Sequence, residues 1–101
     1  MELTPIGGLT LRRALIGILL AAGRPLTVRE VVAELHAAGA TTLPFRAKPI
    51  NMVIADMLAY QIRTGRVVRV RRATYAVVAS SMSRSTQRRC RHWRDGLADW
   101  T

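Results

Sequence analysis

Residues 65–78 read GRVVRVRRATYAVV. Val68 and Val70 alternate with Arg69 and Arg71, the period-two pattern of a strand with one face on a core and the other in water. After Arg72 and Ala73, Tyr75 and Val77 resume the apolar series. The stretch is therefore predicted as a two-stranded hairpin that turns Val68, Val70, Tyr75 and Val77 inward and Arg69 and Arg71 outward. A tight hairpin turn normally takes glycine or asparagine where φ is positive. Neither is present, so the turn type stays open. An isolated hairpin is barely stable in water, and the segments before it must supply its support.

Immediately upstream, residues 49–64 predict a helix that Gly65 ends. Pro49 suits a first helical position. Ile50, Ile54, Met57, Leu58 and Ile62 form the inward face, and Lys48, Met52, Asp56, Ala59, Tyr60 and Arg63 the outward one. Further back, PLTVREVVAELHAAG contains a capping box: Thr27 is the N-cap and Glu30 stands three residues on, with Leu26 and Val31 placed as a hydrophobic staple. Val28, Val31, Val32 and Leu35 make its apolar stripe, and Gly39 its stop. Pro25 and Leu26 suit a very short strand. The first helix is predicted from Thr10 as N-cap to Ala22, with Leu11, Leu15, Ile18 and Leu19 inward. Between the second and third helices, ATTLPFRAKP reads as a loop with Leu43 and Phe45 tucked in.

Ile16 and Leu20 lie off the main stripe of the first helix and need a second partner. Residues 80–101 offer one. SSMSRSTQRR is polar, and CRHWRDGLADW spaces Cys90, Trp93, Leu97 and Trp100 as a helical stripe. Trp93, Leu97 and Trp100 are expected to pack on Ile16 and Leu20, within the subunit or across a homodimer. The expected organisation is a domain over residues 1–79 and a basic extension over 80–101.

Charge is the dominant compositional signal. The 101 residues carry a formal charge of +10. Ten arginines and no carboxylate fall between Met57 and Arg94, while the remaining segments balance. A local excess of this kind attracts a polyanion. Cys90 is the lone cysteine, so there is no disulfide framework, and a reducing, cytoplasmic setting fits. Cys90 and His92 lack the second pair of ligands that a structural zinc requires, and no metal or other cofactor is expected. The apolar run from Ala14 to Ala22 is too short to span a bilayer, and Glu2 disfavours a secretory leader, so no membrane partner is expected. No phosphate loop, nucleophile elbow or histidine–carboxylate cluster appears, which points to a binder rather than an enzyme.

The predicted class is mainly α with a small β-hairpin, in the order helix, short strand, helix, loop, helix, hairpin, extension. That is the winged helix-turn-helix order. Over residues 10–79 the chain resembles the HARE-type helix-turn-helix family in LRRALIGILLAAGRPLTVREVVAEL, in AKPINMVIADMLAYQIRTG and in RVVRVRRATYAVV. It departs from that pattern in Ala73, where such wings commonly have glycine, and in the tryptophan-bearing extension. The resemblance implies double-stranded DNA as partner, with the third helix in the major groove and the hairpin along the backbone. The candidate contacts are Arg46, Lys48, Asn51, Met52 and Arg63 on or near the third helix, Arg69, Arg71 and Arg72 on the hairpin, and Arg84, Arg88 and Arg89 in the extension. Asn51 suits adenine, Arg46 and Lys48 suit guanine, Met52 could wedge against bases, and the hairpin and extension arginines suit phosphate. A small transcriptional regulator or nucleoid-type protein is the expected role. Two alternatives stay open: a docking module whose basic surface meets an acidic protein, and a binder of RNA or single strands that stacks bases on tryptophan.

Overall fold

The first helix, α1 (Gly8–Ala22), is buried on nearly every side from Ala14 to Leu20. A helix so apolar all round needs cover on two faces, and the rest of the chain supplies it. This computed structural model describes residues 2–44 and 47–100, and the side chains of 98–100 lie outside that description. The other elements are strand β1 (Thr4–Ile6), strand β2 (Leu26–Thr27), helix α2 (Val28–Ala37), strand β3 (Ala40–Thr42), helix α3 (Ile50–Arg63), strands β4 (Val67–Arg71) and β5 (Thr74–Val77), helix α4 (Arg84–Arg91), and a 3₁₀ segment, Trp93–Trp100. The fold is α+β. Among the described residues, no helix is long and apolar enough to cross a membrane.

β2, β5 and β4 form an antiparallel sheet in that order, so the short strand before α2 joins the hairpin. β1 and β3 pair in parallel, Thr4 opposite Ala40 and Ile6 opposite Thr42. The segment expected to be loop is thus partly strand. Leu15 and Leu19 of α1, Val31 and Leu35 of α2, Ile54 and Leu58 of α3, and Val67 of β4 fill a single core.

α2 begins as its sequence dictates. Thr27 Oγ1 accepts from the Glu30 amide at 3.1 Å, and a Glu30 carboxylate oxygen accepts from the Thr27 amide at 2.9 Å. The Thr27 amide bond, and then Arg24, hold the Glu30 carboxyl below the usual glutamate value. A carboxyl whose pKa falls on folding stabilises the fold above its unfolded pKa and loses that contribution as pH drops through the folded one. The stability difference between wild type and Glu30→Gln is therefore expected to shrink below about pH 4.3, as read by denaturant titrations across that range. A difference independent of pH would show that the box contributes nothing through ionised Glu30.

Four sequence expectations are corrected. α1 starts at Gly8 with Gly7 as N-cap, which places Thr10 inside the helix rather than before it. In α3 the buried positions are Ile54, Leu58 and Gln61, a strict i, i+4, i+7 series. Gln61 is 2% exposed and Ile62 38%. The Thr64 hydroxyl shares its proton between Gln61 O at 2.8 Å and the Gln61 Oε1 at 3.2 Å. Leu43 is exposed, and Phe45 lies outside the described residues.

The fourth correction concerns the hairpin. Val67, opposite Val77, is the residue of β4 that seals the core, while Val68 and Val70 are 44% and 45% exposed. Either phase of a Val-Val-Arg-Val run can be read as a strand, and a shift of one residue exchanges the faces. Here the Arg66 amide donates to Gln61 O at 3.1 Å, tying the strand to the end of α3 in the phase that turns Val67 inward. A register shift between Arg69 and Arg71 leaves Val70 as a bulge.

Ala73 closes the turn in the left-handed region, φ 52. That conformation costs an L-residue about 1–2 kcal/mol. Ala73→Gly is expected to raise stability by about 0.5–1 kcal/mol, the relief exceeding the extra freedom of the unfolded chain. A denaturation midpoint that stays put or falls would contradict a strained turn.

Candidate functional site

The β4–β5 turn, the start of α2 and the start of α3 converge on one open cleft of about 710 Å³. The Val28 amide donates to Ala73 O at 2.9 Å, fastening the turn to the first residue of α2. Thr74 Oγ1 donates to Arg72 O at 2.9 Å, which fixes the turn from within. From α3 the cleft receives Asn51, Met52 and Ala55, and from α2 it receives Arg29 and the Glu30 carboxylate, which Arg24 pairs at 3.1 Å. Asn51, Met52 and Arg29 are exposed. Arg29 was not among the sequence candidates, although a cation in the first turn of α2, beside a capping glutamate, had only outward directions open to it.

Arg69, Arg71 and Arg72 are exposed on the hairpin. None of their guanidinium groups meets a carboxylate among the described residues. The ion pairs among the described residues are Arg24–Glu30 and Lys48–Asp56, and His92 Nδ1 lies 3.9 Å from an Asp95 carboxylate oxygen. Arg69 Nε donates to Arg71 O at a long 3.4 Å. Among the described residues the hairpin cations thus meet no carboxylate, and they stand beside a concave surface that offers the Asn51 amide and the Arg24-paired Glu30.

The other candidates are distributed differently. Lys48 Nζ lies 2.8 Å from Asp56 Oδ2, so its charge is already answered and its reach to a base would require breaking that pair. Arg46 lies outside the described residues. Met52, Asp56, Ala59 and Arg63 make one exposed stripe on α3, with Arg63 in its last turn. On α4, Arg84 and Arg88 share an exposed stripe with Arg91. Arg89 faces elsewhere, into a cavity it shares with Arg12 and Arg13 of α1 and Arg66. The positive charge therefore occupies several surfaces rather than one.

The extension is part of the core. Its polar opening is helical, with Ser83 as N-cap accepting from the Thr86 amide. Met82, Cys90 and Trp93 are buried, Leu97 is half-buried, and Ile16 and Leu20 are buried with them. The side chain of Trp100 lies outside the described residues. At Gly17 the backbone of α1 comes against Cys90 O and the Trp93 ring. Burial pushes the Cys90 thiol above its ordinary value, against the pull of the Arg66 and Arg13 charges.

No family model, no curated protein and no solved structure matches this chain at a significant level.

Proposed function

We propose that this protein binds double-stranded DNA as a winged helix-turn-helix, a small transcriptional regulator or nucleoid-type protein. In this reading α3 enters the major groove and the β4–β5 hairpin is the wing on the backbone. The single observation that carries it is the trio Arg69, Arg71 and Arg72, exposed and unpaired on a turn that is hydrogen-bonded to α2. Arginine suits this place because its planar fork grips phosphate with two parallel hydrogen bonds. Arg29 adds a fourth cation across the cleft, and Asn51 is the group best suited to read a base, pairing with adenine. With Lys48 held by Asp56, backbone contact outweighs base reading, and modest sequence preference follows. The reading needs no dimer, since the apolar residues of α1 that suggested one are covered within the chain.

The test is fluorescence anisotropy of a labelled random-sequence duplex over a salt series. Four phosphate contacts give a log–log slope of about −3.6. A second reading has one observation in its favour: β4 is an edge strand whose outer face carries exposed Val68 and Val70 beside arginines, a surface that suits an acidic, extended protein segment. Absence of duplex binding at low salt would favour that docking role. Base stacking on Trp93 is disfavoured by its burial at 5% exposure.

A further inference from the structure

A second concave surface lies at the far end of α3. Between α1, the α3–β4 junction and α4 is a cavity of about 460 Å³, a size at which small-molecule sites are found. Arg12 and Arg13 enter from α1, Arg66 from the junction and Arg89 from α4. No carboxylate among the described residues lines it. None of the four guanidinium groups makes a hydrogen bond or ion pair among the described residues. Arg12, Arg13 and Arg66 are half-buried, so their charges are less screened than those of the hairpin. The Thr86 hydroxyl, which accepts from Ser83 Oγ at 3.0 Å, keeps its own proton to donate. Four like charges gathered without a counter-charge repel one another, and a multiply charged anion would relieve all four at once.

Two residues of this wall, Arg12 and Tyr60, also border an adjacent, mostly apolar cavity of about 560 Å³ that reaches Leu11, Val53 and Met57. An occupant can therefore place an anionic head among the arginines and an apolar body beyond the Tyr60 ring. Tyr60 and Asn51 are nine positions apart on α3, on opposite sides of the helix and roughly 13 Å apart along its axis. The cavity is thus separate from the cleft assigned to DNA.

We propose that this cavity binds a small phosphorylated ligand with an apolar or aromatic body, in the simplest case a nucleoside diphosphate. The diphosphate lies among Arg12, Arg13, Arg66 and Arg89, the Thr86 hydroxyl donates to it, and the body packs beside Tyr60. The site stands whether or not the chain binds DNA, because its residues come from the other end of α3.

Calorimetric titration of the full chain with ADP and with inorganic pyrophosphate, without magnesium and at matched ionic strength, tests the proposal. ADP is expected to bind with a Kd below about 1 mM and more tightly than pyrophosphate. Arg12→Gln with Arg89→Gln should weaken ADP about tenfold or more, as loss of charge-assisted bonds requires. Arg71→Gln with Arg72→Gln should leave it unchanged, and circular dichroism checks that both variants fold. Equal losses in the two double variants would reduce the effect to diffuse charge and overturn the site. So would no heat with either probe. Equal affinity for ADP and pyrophosphate would remove the apolar half of the ligand class. A short duplex that displaces ADP from wild type and from the hairpin variant alike would assign the arginines to a nucleic-acid backbone instead.

Discussion

Gly17→Ala is expected to destabilise the fold by about 3 kcal/mol, in the upper range for forced overpacking. Intrinsic propensity argues the other way, since alanine in a helix interior is favoured over glycine by about 1 kcal/mol. Geometry decides the sign. A Cβ at this position would stand 2.0 Å from Cys90 O, 2.8 Å from Cys90 C and 2.7 Å from Trp93 Cδ1. Two of these atoms are backbone within a helix, which cannot swing aside as a flexible side chain would. α4 would have to back away from α1, opening the seam in which Ile16, Leu20, Cys90 and Trp93 are buried. Denaturant unfolding should show a lowered midpoint, and tryptophan emission should shift to the red as Trp93 meets water. Unchanged emission together with equal or greater stability would mean that α4 is not seated on α1 as described.

Replacing Arg69, Arg71 and Arg72 together by alanine should weaken duplex binding by about two to three decades near 0.1 M salt. It should also flatten the salt slope by about 2.7, as loss of three phosphate contacts requires. All three side chains are exposed, so the fold should survive, and circular dichroism verifies this. Arg84→Ala with Arg88→Ala removes the same type of charge from α4 and should cost less, because those residues lie on a different surface from the cleft. Equal loss in the two variants would leave only net charge as the explanation of binding. No loss in the hairpin variant would refute the assignment of the contact surface and leave the edge strand as the stronger candidate interface.

Local signals were legible. The capping box at Thr27 and Glu30 needs only four consecutive residues, and it forms as read. The hairpin itself was equally plain, because alternation reports a strand whatever surrounds it. Which valine faces the core was not, since the phase is set by a hydrogen bond between Arg66 and Gln61 that no periodicity encodes. On α3 the sequence favoured Ile62 as the buried residue by hydrophobicity, but Gln61 continues the helical phase of Ile54 and Leu58. Its Oε1 accepts part of the Thr64 hydroxyl bond, and among the described residues no buried side-chain polar atom is left without a partner, so burial is tolerated.

Non-local features were invisible. The parallel pairing of Thr4–Ile6 with Ala40–Thr42 joins two three-residue segments across α1 and α2, and neither carries a strand signal of its own. The cavity arginines come from three places in the chain, α1, the α3–β4 junction and α4, so no motif unites them. Arg12 and Arg13 precede the apolar run from Ala14 to Ala22 and carry no signal of their own. Their meeting with Arg66 and Arg89 is a product of α4 lying along α1.

That seam has a consequence for biosynthesis. Gly17 and its partners Cys90 and Trp93 are separated by about seventy positions. On the ribosome α1 is made before α4, and its second greasy flank waits until the roughly seventy intervening residues have been translated. In that interval Ile16 and Leu20 are open to chaperones or to other nascent chains. Completion of the native state is therefore set by the arrival of α4 rather than by closure of the hairpin.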